Sequence, residues 1–416
     1  MVPKNNISIN GQRLMGELEQ LATYSDAPAP AVTRVLLTKP DIDARQFFEQ
    51  LCVDAGLEFR SDASGNLFAR FAGTHPELPA VATGSHCDAI PHSGRYDGTV
   101  GVLGGLEAIR ALKESGLRPR RSIELIMFTA EEPTRYGIGC IGSRLLSGVL
   151  AADAADQLTD NDGTTFSESR ATAGYAGPLT SVPLNDGSYA AFVELHIEQG
   201  PLLENDRVAI GVVTNIAAPA ALRVTYTGTG GHAGAVLMAD RRDALLPASE
   251  LALEVAAAAR ETSSDDTVAT TGVLDVFPRA INSIPSRTVL EIDIRDVDLE
   301  HRDQVLNRVC ETAQSIGDRY QQKTSIRTIS QDPPASCASE VVTAIEKSCQ
   351  SVGVTRQRMI SRAYHDCLFM ALICPSSMIF IPCRDGVSHR PDEYAKPEDI
   401  EAGVHVLAHT LNRLAE

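Results

Sequence analysis

Five residues of metal-ligating type recur in similar settings along this chain: His86, Asp97, Glu132, His196 and His389. His86 ends the apolar run 79–85 and is followed by Cys87-Asp88. A strand-end histidine is more often a hydrogen-bonding residue than a ligand, but Asp88 falls on the same side of a strand. A carboxylate holding the far ring nitrogen is the usual support of a ligating histidine, so Asp88 reads as its orienter. Asp97, in Gly94-Arg95-Tyr96-Asp97-Gly98, has a competing role as N-cap of the next helix. The two roles are compatible, and a carboxylate there is well placed to bridge two metals. Glu131 and Glu132 follow the apolar run 122–129, where an uncompensated pair of charges is costly. Neighbouring residues point to opposite sides, which gives Glu132 the metal and Glu131 the proton transfer. His196 repeats the pattern after 190–195, with Gln199 as a candidate partner for a substrate amide and Glu198 unassigned. His389 alone would read as a surface residue and gains weight as the fifth member of the set.

Three histidines, one Asp and one Glu without a thiolate suit a catalytic centre and not a structural zinc site. The mixed nitrogen and oxygen donors fit zinc, manganese, cobalt or iron. Two ions sharing Asp97 would lie ~3.5–4 Å apart.

The elements that must position these residues are legible from periodicity. The runs 79–85, 122–129, 190–195 and 377–382 read as buried strands, each ending at or near a candidate. Helical stretches are expected at 101–115 and 140–155. Strands alternating with helices imply a mixed, mostly parallel α/β sheet sandwiched by helices, with ligands outside the strands' carboxyl ends. The middle of the chain changes pattern: strand 221–227, helix 241–261, strands 267–277 and 287–295, helix 299–321, strand 323–330. That β-α-β-β-α-β order predicts an inserted ferredoxin-like α+β domain at 216–330, dividing a catalytic domain of 1–215 and 331–416.

With 416 residues, two domains are expected. Hydrophobic residues make up 43% and charged residues 22%, the balance of a globular protein. No apolar run is long enough for a membrane span, so no membrane partner is expected. The net charge of −17 repels phosphate backbones and argues against nucleic acid. Nine cysteines lack CxxC pairing and read as reduced, buried thiols. The start, Met1 to Asn6, carries no visible export or transit signal, which predicts a cytoplasmic chain, or one of the endoplasmic reticulum if a signal segment has been removed.

The segments GSHCDAIPHSGRYDGTVGVLGGLEA, FTAEEPTRYGIGCIGSRLLSG, ELHIEQGPLLE, GTGGHAGAVLM, INSIPSRTVLEIDIRD and SRAYHDCLFM together resemble the hydantoinase/carbamoylase branch of the dinuclear metallopeptidase-like amidohydrolases. The likeness runs from about Asn10 to Leu414. It implies that His86, Asp97, Glu132, His196 and His389 hold two divalent ions, manganese first, with zinc, cobalt or nickel as alternatives. It implies that Glu131 is the general base. The inserted domain would be a lid that also makes a homodimer, with His232 reaching the neighbouring subunit's site; on its own, His232 reads as a turn histidine among glycines. Asn282, Arg295 and His365 match substrate contacts. A guanidinium at a strand end can grip a carboxylate with two hydrogen bonds, or simply make a cross-strand ion pair. Tyr364 stands where relatives acting on other ureido substrates carry a smaller residue, which would narrow the pocket. The implied reaction is hydrolysis of (S)-ureidoglycolate to glyoxylate, ammonia and carbon dioxide in ureide and purine catabolism. Allantoate and N-carbamoyl-L-amino acids are the other substrates of the branch.

Overall fold

The structure is a computed structural model that describes residues 7–416; the segment Met1 to Asn6, read above for targeting signals, lies outside the described residues. The chain divides into two compact units, one of Met1–Asn215, Ser336–Ser361 and His365–Glu416, the other of Ile216–Ala335 with Arg362–Tyr364.

The first unit is built on a nine-stranded mixed sheet. From one edge its strands run Ala335–Ser336, Ile210–Ile216, Ser376–Ile381, Tyr189–Ile197, Ala80–His86, Ile123–Phe128, Leu67–Phe71 and Glu58–Ser61, and Arg356–Ser361 also pairs with Ile210–Ile216. The central four are mutually parallel. Antiparallel strands flank them on both sides. The four central strands are buried at almost every position, as expected when helices cover both faces of a parallel sheet. Their shared direction brings His86, the turn after Phe128, His196 and the loop after Ile381 to one edge.

Helices Thr99–Glu114 and Pro397–Leu414 pack on this sheet, and their Leu103, Leu106, Val404 and Leu407 join Val81, Leu125 and Leu195 in one core. Gly101 permits the close approach: a Cβ there would lie 2.4 Å from the Leu195 carbonyl oxygen. The stretch 140–155 differs from the single helix expected. It forms Ile141–Leu146, then a separate turn of helix at Ala152–Asp156. Gly148, at φ 74°, ends the first piece.

The second unit is a four-stranded antiparallel sheet ordered Val268–Phe277, Arg287–Asp296, Ala218–Thr227, Lys323–Gln331. Helices Leu245–Arg260 and Leu299–Arg319 cover one face. Alternation explains the burial: Leu222, Val224, Tyr226, Leu290, Ile292 and Ile294 face those helices. Arg223, Glu291, Asp293 and Arg295 stand on the other face.

Among the described residues, no helix is long and apolar enough to cross a membrane. The nine cysteines are free thiols and seven of them are buried.

Candidate metal centre

The five sequence-predicted ligands converge at the carboxyl edge of the parallel strands. His86, Asp97 and His196 bring ligand atoms within 4.8 Å of one another, and so do Asp97, Glu132 and His389. Asp97 belongs to both groups. Its Oδ1 is 3.4 Å from His86 Nε2 and 3.2 Å from His196 Nε2, while Oδ2 is 3.2 Å from His389 Nε2. Glu132 Oε1 is also 3.2 Å from His389 Nε2. Glu131 Oε2 stands 3.7 Å from His86 Nε2. The two adjacent carboxylates thus face different histidines, Glu131 toward His86 and Glu132 toward His389.

The electrostatics call for cations. Asp88, Asp97, Glu131 and Glu132 are all buried. Among the described residues, the ion pairs of Asp97, Glu131 and Glu132 are all to histidines, with no Lys or Arg. Burial alone would depress the His86 pKa, but Glu131, Asp88 and Asp97 hold it well above the usual value. Burial would raise the Asp97 carboxyl, but the imidazoles of His196, His389 and His86 close beside it hold it well below. Hydrogen bonds to Asp97 and Glu132 push His389 up to about 11. Burial pushes Glu131 well up, and Glu132, Asp366 and Asp97 add to this against His86. Two divalent ions would neutralise the four carboxylates while the imidazoles stay neutral, the form in which they ligate. His86 Nε2 has no hydrogen-bond partner although fully buried, a further sign that the donor set fits a metal.

Asp88 departs from its expected geometry. The His86 Nδ1 partner is the Asp88 backbone carbonyl at 3.0 Å, with the carboxylate farther away at 3.6 Å. The carboxylate instead accepts the backbone N–H groups of Glu131 and Glu132, at 3.3 and 3.0 Å. Strand alternation placed Asp88 on the correct side, but the chain turns after His86 and swings the side chain to the acidic turn. Asp97 also differs from the N-cap alternative: Gly98 caps the helix, and the Asp97 side chain is committed to the histidines. Gln199 donates from Nε2 to Asp97 Oδ2 at 2.7 Å, which orients the shared carboxylate.

Several supporting residues were not read from the sequence. Glu393 accepts the N–H groups of Tyr96 and Asp97, and the Ser388 hydroxyl lies between Asp97 and Glu393, 2.7 and 2.8 Å from their oxygens, with one proton to donate to either. Burial, then Asp97, push Glu393 up to about 7. Glu194 accepts Ser85 Oγ and the Cys367 N–H beneath His196. A carboxylate in an otherwise apolar buried strand, two residues before His196, was the available signal for Glu194. For Glu393, well into a loop, there was none.

His365 is buried, its ring centroid 4.5 Å from that of His196. In the second unit, Arg295 pairs with Asp293 on its own strand at 2.7 Å and lies 5.5 Å from the Tyr364 ring centroid. That ion pair runs along the strand. His232 is exposed in a short ladder, where Gly231 and His232 pair with Ile284 and Ser283. Asn282 is exposed and accepts the Ala233 N–H through its backbone.

A buried glutamate beside clustered histidine and carboxylate donors, at the strand ends of a mostly parallel sheet, is an arrangement suited to a metal-dependent hydrolase. The chain belongs to the peptidase family M20/M25/M40, whose model matches residues 82–413. It is 51% identical to a ureidoglycolate hydrolase of Arabidopsis thaliana, over 99% of this chain and 88% of that one. Crystal structures of AtUAH with (S)-hydroxyglycine and with glyoxylate superpose at TM-score 0.93 and 50% identity, covering 99% of this chain and 100% of theirs. A hydantoinase/carbamoylase family amidase from Burkholderia vietnamiensis superposes equally well at 34% identity, covering 99% of each chain.

Proposed function

We propose that this chain hydrolyses (S)-ureidoglycolate, cleaving the terminal ureido C–N bond. Carbon dioxide, two ammonia molecules and glyoxylate follow from one turnover as the first product decomposes. The enzyme is a hydrolase of linear amide C–N bonds. The observation that carries the chemistry is Asp97 shared between His86/His196 and Glu132/His389, with Glu131 beside His86. The substrate is supported by about half the residues being identical to a ureidoglycolate hydrolase over nearly the whole chain.

His86, Asp97 and His196 would hold one ion, and Asp97, Glu132 and His389 the other; manganese is our choice among the several ions that these donors fit. Bound there, the ions would polarise the ureido carbonyl and lower the pKa of water. Glu131 accepts the proton from the attacking water and returns it to the leaving nitrogen. Asp88 fixes Glu131 and Glu132 by their backbone N–H groups, and Gln199 fixes Asp97. Arg295 and Asn282 bind the substrate carboxylate and His365 contacts the ureido end, with Tyr364 setting the length accepted. The chain acts as a homodimer through a lid formed by residues 216–330, and His232 of the partner subunit donates to the developing oxyanion.

The metal-loaded chain should release ammonia and glyoxylate from (S)-ureidoglycolate faster than it releases ammonia from allantoate or N-carbamoyl-L-amino acids. A preference for either of the latter would overturn the substrate and leave the hydrolase. Co-expressing Glu131→Gln with His232→Ala tests the shared site. Sharing across subunits restores about a quarter of wild-type activity, because mixed dimers then hold one intact site. Sites contained in single subunits restore none.

A further inference from the structure

The chain crosses from the second unit to the first between Tyr364 and His365, and His365 is immediately pinned. It caps the short helix Asp366–Met370. On one side Ser143 Oγ donates to Asp366 Oδ1 at 2.5 Å. On the other, the Cys367 N–H donates to Glu194 Oε2 at 2.9 Å, while Ser85 Oγ donates to Glu194 Oε1 at 2.8 Å. Ser143, Asp366, Cys367, Glu194 and Ser85 are all buried, so none of these bonds competes with water.

Each anchor leads to the chemistry. Ser143 sits on the helix Ile141–Leu146, whose first N–H groups are laced to the segment carrying the base: Cys140 to the Glu131 carbonyl, Ile141 to Ala130 and Gly142 to Thr129, at 3.0, 3.0 and 2.7 Å. Glu194 is on the strand of His196, whose ring the His365 ring touches. Buried hydrogen bonds, short stretches of chain and one ring contact therefore join the Glu131 turn, through Ser143 and Asp366, to His365 and back to His196. Asp366 Oδ2 has no hydrogen-bond partner, a cost that a merely structural polar contact would avoid by using a neutral residue.

We propose that Ser143, Asp366 and Glu194 are positioning residues that hold His365 against His196 in register with Glu131, so that His365 meets the substrate at a fixed distance from the base. This rests on the reading above in which His365 contacts substrate.

A double-mutant cycle tests it, measured on whichever ureido substrate the metal-loaded wild type turns over, so that an error in substrate identity does not blur the result. Ser143→Ala should lower kcat/KM about tenfold while metal content and Tm change little, and Ser143→Thr, which keeps the hydroxyl, should restore it. On a His365→Ala background Ser143→Ala should have no further effect, because its route to the substrate is already gone. Glu194→Gln, which still accepts the Cys367 N–H, should stay within about threefold of wild type, whereas Glu194→Ala should repeat the Ser143→Ala loss and the same lack of additivity. The proposal is overturned if Ser143→Ala costs the same factor with and without His365, if it costs nothing, or if His365→Ala itself leaves kcat/KM unchanged.

Discussion

Gly98 sits beside the candidate ligand Asp97 at φ 66°, and a Cβ built on it would lie 2.4 Å from His86 Nε2 and 2.5 Å from Cδ2. Gly98→Ala should therefore disturb the centre in two separable ways. A backbone at φ 66° and ψ −44° costs a side chain about 1–3 kcal/mol of stability. Ordinary contact begins near ~3.5 Å, so the His86 ring must also retreat by roughly 1 Å. A displacement of that size at a catalytic group costs on the order of 10²-fold, or about 2.7 kcal/mol of barrier. Gly116 supplies the control: it has φ 76° and nothing within 4 Å of where a Cβ would stand. Gly116→Ala should lose similar stability and keep full activity. The assay is kcat/KM together with bound metal by elemental analysis and urea unfolding for both variants. If Gly98→Ala retained metal and activity as Gly116→Ala does, the placement of His86 against the Gly98 backbone would be wrong.

Three further outcomes are expected. Glu131→Gln should keep its metal yet lose about 10²–10⁴-fold in kcat, since only the proton acceptor is removed; loss of metal instead would make Glu131 a ligand. Tyr364→Gly should narrow the preference for (S)-ureidoglycolate over allantoate in a competition assay, and an unchanged ratio would exclude Tyr364 as the length gauge. His405 and His409, with ring centroids 5.1 Å apart on the last helix, are both held below the usual 6.5 by burial, and His409 further by His405 and Arg413. Between their lowered pKa values and 6.5 the unfolded chain binds more protons, so their stabilising contribution is complete above 6.5 and lost as pH falls below it. Urea midpoints should show that fall in the wild type and a flatter profile in a His405→Gln/His409→Gln variant.

What the sequence revealed and what it concealed have physical reasons. The parallel strands were legible because each is a continuous buried run ending in an ionisable residue, and strand direction alone then gathers His86, Glu132 and His196 at one edge. The second unit was legible because its sheet is covered on one face, which forces the alternation of Leu290, Ile292 and Ile294. Local backbone turns were not legible. Asp88 reaches the Glu131 and Glu132 N–H groups only because the chain bends after His86, and periodicity carries no information past a strand's end. The break after Leu146 was hidden because a glycine such as Gly148 inside an apolar pattern is tolerated within helices as well as found at their ends. Glu393 was invisible because its role depends on a contact 296 residues away in sequence, at the Asp97 N–H.

The central claim is that Asp97 bridges two ions, one held with His86 and His196 and the other with Glu132 and His389. Anomalous diffraction from crystals of the manganese-loaded chain tests it most directly. The account predicts two peaks ~3.5–4 Å apart, one on each side of the Asp97 carboxylate. A single peak, or two peaks that do not share Asp97, would contradict it.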